Sequence, residues 1–243
     1  MKFICGNSHT IALSYGQRRL ANADSASLKI FPLGSGQYET TPFSEVRGSG
    51  VVFLEPSYSD NLRRFAGTSE IRESDDTWGF CLVNHNVRIY RHPMWKLYSP
   101  CFGPGFESKF KLSNAAIDLI VDADSMHIKS FLDQLLRLKI NFFAISAPYP
   151  REDHPCILSG TKREIVAHLD EVARGRWSKW LSDRGILCVD PPTETRGSDG
   201  FLKSEFNAPH FPSGKIDPHH ANAEYGRMML QKIISVTSGT GSF

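Results

Sequence analysis

Gly6-Asn7-Ser8-His9-Thr10 follows a short apolar run, Phe3-Ile4-Cys5, near the start of the chain. Gly, Asn and Ser favour turns, so the cluster ends a strand and opens a helix. A serine at that junction carries its hydroxyl above the carboxyl end of the strand. The first turn of a helix leaves backbone N–H groups unpaired, so the same turn offers donors to a developing oxyanion. A serine hydroxyl is a weak nucleophile until a base takes its proton, and the base needs a third group to orient it. Lys215-Ile-Asp-Pro-His-His-Ala-Asn222, far along the chain, supplies both, with Asp217 and His220 three residues apart. On a loop entering a helix, that spacing lets the carboxylate hold one ring nitrogen while the other faces Ser8. The chemistry such a set would do is acyl transfer, with Ser8 expected as nucleophile, His220 as base and Asp217 as orienting acid.

His219 competes with His220 for the base, and the spacing from Asp217 favours His220. His210, Asp217, His219 and His220 are also a set that suits zinc or iron. A metal site would leave Ser8 unexplained, and no cofactor is expected. A binding module that has lost turnover is the alternative outside catalysis, since fold does not guarantee function.

These residues need a scaffold that brings both ends of the chain together. Lys2–Cys5, Ser27–Phe31, Gly48–Leu54, Gly79–Val83, Asn141–Ser146 and Gly185–Asp190 read as strands. Helices are expected over Thr10–Leu20 and about Lys162–Leu181. Another carries Ile128, Phe131, Leu132, Leu135 and Leu138 on one face, and a last one Tyr225, Met228, Met229 and Ile233. The strands are continuous apolar runs that alternate with helices, the signature of a parallel sheet covered on both faces. Ligands bind at the carboxyl ends of such strands, where Ser8, Gly34–Gly36 and Asn84–Asn86 stand. Residues 1–236 are expected to form one domain, with a long excursion at 87–112 and a frayed tail at 237–243.

Net charge is +2 over 243 residues, so the total gives no electrostatic case for nucleic acid or an anionic membrane. No apolar run approaches the ~20 residues of a membrane span. Lys2 is followed by only Phe3-Ile4-Cys5 before the turn, too short for a signal peptide, so a cytoplasmic location is expected. Cys5, Cys81, Cys101, Cys156 and Cys188 are widely spaced and form no metal or redox pair. Reduced thiols acting as small hydrophobes are expected.

Gly6-Asn7-Ser8 and Asp217-Pro-His-His220, in that order and context, resemble the SGNH, or GDSL, hydrolase family. The resemblance implies a three-layer α/β/α sandwich around a flavodoxin-like parallel sheet. It implies an oxyanion hole of the Ser8 N–H, a glycine after the second strand and an asparagine after the third. Asn84 matches that asparagine, with Asn86 as the alternative, because Val-Asn-His-Asn replaces the usual Gly-x-Asn-Asp. Gly36 is the preferred glycine among Gly34, Gly36, Gly48 and Gly50. Asn7 departs from the family's aspartate, at a position that orients the turn. The resemblance suggests a small-molecule or carbohydrate ester, such as an O-acetylated sugar, and leaves lipid esters, thioesters and acyl transfer open. His85 is either substrate-facing or structural. In the excursion, Tyr90, Trp95, Tyr98 and Phe102 offer faces for a sugar or an acyl chain, or else pack the loop onto the domain.

Overall fold

The computed structural model describes residues 1–21, 26–101, 110–211 and 213–238, so Phe102 and the end of the tail lie outside the described residues. Ten strands and seven α-helices are described. In chain order the first are β1 (Lys2–Gly6), α1 (Thr10–Gln17), β2 (Leu28–Pro32), β3 (Ser44–Arg47), β4 (Gly50–Phe53), α2 (Pro56–Ala66), β5 (Ile71–Arg72), β6 (Thr77–Val83) and α3 (Val87–Tyr90). They continue as β7 (Tyr98–Pro100), β8 (Phe110–Leu112), α4 (Asn114–Arg137), β9 (Phe142–Ser146), α5 (Pro155–Leu158), α6 (Arg163–Ser182), β10 (Cys188–Val189) and α7 (Ala223–Ser238).

Five strands form a wholly parallel sheet in the order β10-β9-β6-β1-β2, flanked by helices on both faces. The sequence pattern explains the burial. Successive side chains of a strand point to opposite faces. Phe3 and Cys5 therefore pack with Trp78, Phe80 and the α4 residues Phe131 and Leu135. Ile4 packs on the other face with Leu13 of α1 and Tyr225, Met229 and Ile233 of α7. The strand carrying the Ser8 turn is thus interior, with β6 at the sheet's centre.

One strand goes elsewhere. The run Gly48–Leu54 yields β4, which pairs antiparallel with β3 and β5 in a separate three-stranded sheet. Arg47 faces Gly50 across a two-residue turn whose Gly48 has φ 58°. That left-handed backbone suits a tight hairpin, which reverses the chain where a parallel crossover would need a dozen or more residues. Apolar content alone does not distinguish the two.

α1 and α7 follow the Ser8 turn and the His220 loop, and they pack face to face. Their contact is made by glycines. A Cβ on Gly226 would collide with the backbone of Ala12, and a Cβ on Gly16 with the backbone of Gly226 and Arg227. Absence of side chains lets the two backbones touch, which sets where the ends of the helices lie.

No helix among the described residues is long and apolar enough to cross a membrane. The cysteines are free: Cys5, Cys81 and Cys156 are buried, Cys188 is partly so, and Cys101 is exposed.

Candidate active site

The loop before α7 folds around the Asp217 carboxylate. Oδ1 accepts from the backbone N–H groups of His219 and His220 at 3.1 and 3.0 Å. The His220 ring completes the turn, with Nδ1 3.0 Å from Oδ1 and 2.9 Å from Oδ2. A carboxylate on Nδ1 fixes the tautomer with its proton there, leaving the Nε2 lone pair free. His220 Nε2 is buried and makes no hydrogen bond to any described residue. Burial alone would raise the Asp217 carboxyl, but the bonds from the His220 ring and the two backbone N–H groups outweigh it and hold the group at about 2. The acid stays ionised across the working range.

Arg151 holds this loop from beneath. Its buried Nη1 donates to the carbonyls of Ala208 and Asp217, both at 2.8 Å, and of His220 at 3.1 Å. Its other nitrogens form a two-pronged pair with Asp153. A guanidinium can bridge several carbonyls that an ammonium could not reach together. Sequence reading missed this residue, because its role depends on carbonyls distant in the chain. Asn222 finishes the loop by capping α7, its Oδ1 accepting from the N–H groups of Glu224 and Tyr225.

The Ser8 turn sits at the tip of β1. Gly6 is needed there because a Cβ would strike the Cys81 carbonyl of neighbouring β6. Thr10 and Ile11 donate their N–H groups to the carbonyls of Asn7 and Ser8, starting α1. The next residue, His9, brings the two ends of the chain together. Its ring centroid lies 5.2 Å from that of His220 and 4.8 Å from that of His85. The hydrogen bond expected between Ser8 and His220 is not made, since Nε2 has no partner. Catalytic hydrogen bonds commonly tighten only when substrate binds.

Gly36, Asn84 and Asn86, the oxyanion-hole candidates read from sequence, each make a defined contact with the scaffold. Gly36 is buried against His85, where a Cβ would stand 2.8 Å from ring Cε1. Asn84 has φ 60°, and its Nδ2 donates to Ser146 Oγ on β9 at 2.8 Å. It also lines a cavity with Arg174, Cys188 and Asp190. Asn86 donates to Asp170 at 2.8 Å. Each amide thus gives one of its two N–H donors to a neighbouring element of the scaffold.

Two further expectations are corrected. Tyr90 and Trp95 do not line a substrate surface, for both are buried in a cluster with Ile117, Val121, Ile165 and Val166. The Trp95 indole donates to the Ile89 carbonyl at 2.7 Å. These two rings pack the excursion onto α4 and α6, because large rings gain more from burial than from display. Tyr98 is half-buried, its ring 5.2 Å from Phe110.

Imidazoles crowd this site. His219 lies 4.0 Å from His220 and 6.4 Å from His154, centroid to centroid. Burial, and then repulsion from His220, push His219 down to about 3. Burial and the nearby Arg151 push His154 down to about 4. Burial, with His85 and His220 close by, holds His9 well below the usual histidine range. These rings are neutral in the folded protein, whereas in the unfolded chain they take protons near 6.5. Where the unfolded state binds more protons, stability falls as pH falls. We therefore expect the melting temperature to decline from about pH 6.5 down to about pH 4. Replacing His219 by asparagine should remove part of that slope. Calorimetry at half-unit intervals checks this, and a melting temperature flat from pH 7 to 4.5 contradicts it.

Donor atoms of Asp217, His219 and His220 lie within 4.8 Å of one another, as metal ligands would. Both Asp217 oxygens already face His220 Nδ1, so a metal would have to displace that pairing.

No family model and no curated protein matches the sequence. Solved structures do match in shape. A GDSL-like lipase from Bacteroides thetaiotaomicron VPI-5482 superposes with a TM-score of 0.54 at 11% identity, covering 98% of this chain and 87% of that one. A protein of Slackia heliotrinireducens described as an SGNH hydrolase gives 0.50 at 10% identity, covering 97% of each. The chain has the α/β/α fold of these hydrolases.

Proposed function

We propose that this protein is a serine esterase in which residues 1–236 form one hydrolase domain. Its substrate is a small acyl ester, with an O-acetylated carbohydrate as the first candidate. The observation that supports this reading is the buried Asp217–His220 pair, whose Nε2 has no partner among the described residues and whose ring lies 5.2 Å from that of His9, the residue after Ser8.

His220 Nε2 takes the Ser8 proton as Oγ bonds to the ester carbonyl carbon, and the carbonyl π electrons move onto oxygen. The C=O bond then re-forms and the C–O bond to the alcohol breaks. The departing alkoxide takes the proton from His220, leaving an acyl-Ser8. Water repeats the sequence and releases the acid. Asp217 stays charged throughout and stabilises the imidazolium that forms twice per cycle. The uncharged neighbours His9 and His219 add no competing positive charge.

The test is a panel of acyl esters and acetylated sugars, run with and without a chelator, beside labelling by a fluorophosphonate. Hydrolysis that survives the chelator, with label on Ser8, is expected. Loss of activity on chelation would favour the Asp217–His219–His220 metal reading. Acyl transfer to an added alcohol in place of hydrolysis would make the protein a transferase with the same nucleophile. Neither label nor turnover on any ester would favour the binding module.

A further inference from the structure

The proposed reaction needs a side-chain donor for the oxyanion, and Asn84 and Asn86 each hold a scaffold partner through Nδ2, Ser146 Oγ and Asp170 Oδ1 respectively. His85, between them in sequence, is placed differently. Its ring meets His9 edge-on at 4.8 Å, on the turn that carries Ser8. We propose that His85 donates through Nε2–H to the oxyanion formed when Ser8 attacks, taking the role that asparagine has in the resembled family. This rests on the esterase reading.

The surroundings of Nδ1 set the tautomer. Asn7 Oδ1 accepts from the His9 N–H at 3.1 Å, which fixes the orientation of the amide. Its two amide hydrogens then have two acceptors, Glu39 Oε1 at 3.1 Å and His85 Nδ1 at 3.3 Å. Arg88 Nη1, also a donor, lies 3.4 Å from the same nitrogen. The Glu39 carboxylate, which would favour a proton on Nδ1, is farther off at 3.6 Å. It is occupied by Asn7 and by Arg88 at 2.9 Å. Surrounded by donors, Nδ1 accepts, so a neutral ring carries its proton on Nε2. Arg88 is itself pinned by a two-pronged pair with Asp124, so the cradle is rigid.

Two departures from the family pattern then have one cause. An aspartate at position 7 has no proton to offer, and it would set a second carboxylate against fully buried Glu39. Asn7 supplies what both neighbours require. Gly36 leaves room for the ring, since any side chain there would press on Cε1 and Nδ1.

Two measurements test the assignment. Long-range ¹H–¹⁵N correlation spectra of the histidine-labelled protein, with His85→Gln used for assignment, should show His85 as the Nε2–H tautomer. A proton on Nδ1 overturns the proposal whatever the enzyme's substrate. On the best ester of the panel, His85→Phe should lower kcat by about 10²–10³-fold with KM within about twofold, because the bond strengthens only in the transition state. His85→Asn, which restores a donor, should recover at least about tenfold of that loss. An unchanged kcat in folded His85→Phe, or a kcat deficit in Asn84→Ala with none at His85, overturns it. Should wild type itself hydrolyse nothing, the esterase reading fails and the tautomer still answers the question about the ring.

Discussion

Ser8→Ala and His220→Ala should each reduce kcat by about 10⁴–10⁶-fold, and the double variant should lose little more than either alone. The reason is that neither residue works without the other. Once the base is gone the hydroxyl keeps its proton, and once the hydroxyl is gone the base has no proton to take. Asp217→Ala should cost less, about 10⁴-fold, since His220 stays in place but loses its fixed tautomer. The double-mutant comparison separates a catalytic unit from a folding defect, because two independent defects multiply. A further loss of several hundredfold in the double variant would show that the two residues act separately. Turnover by Ser8→Ala at the wild-type rate would end the esterase reading and move the binding module ahead of it.

The largest expected effect on stability lies at the helix contact. Gly226→Ala places a methyl group inside the backbone of Ala12, which no rotamer change can relieve. The helices α1 and α7 must part, loosening the face that holds Ile4, Leu13, Tyr225 and Met229. Overpacking usually costs 1–3 kcal/mol, and against backbone we expect about 3–5 kcal/mol. Gly175→Ala on α6 is the control, for nothing lies near its added Cβ. There the gain in helix propensity should stabilise by about 0.5–1 kcal/mol. Urea midpoints of the two variants check both signs. A Gly226→Ala midpoint equal to wild type would mean that the helices are not in backbone contact.

The parallel sheet was legible because its strands are apolar on both faces, and Phe3-Ile4-Cys5 cannot be mistaken for an edge strand. The Asp217–His220 pair was legible because a three-residue spacing on a loop closes on itself locally. What distant partners decide was not legible. Asn84 has the residue type and strand end expected, but its bond to Ser146 on another strand could not be read from sequence. Trp95 and Tyr90 have the surface a sugar prefers, yet α4 and α6 cover them. The first half of α4 was also missed, although Ile117, Val121, Ser125 and Ile128 repeat at three- and four-residue intervals on its buried face. In α6 Trp177 is buried in the core and Trp180 packs against it partly buried. Helix α2 escaped because its buried stripe is only Tyr58 and Leu62 amid charged neighbours.

The clasp between Gly16 and Gly226 also imposes an order in time. During synthesis Ser8 emerges about two hundred residues before His220, an interval of roughly 10–40 s at ~5–20 residues per second. Through that interval the nascent chain carries the proposed nucleophile without its proposed base. It also leaves Ile4, Ala12 and Leu13 facing water, since Tyr225, Met229 and Ile233 have not yet been made. The last helix therefore closes the apolar face and delivers the base in a single docking step. On the esterase reading, an incomplete chain is inert toward esters and exposes a surface that chaperones and proteases can recognise, so the fold and the proposed activity are completed together.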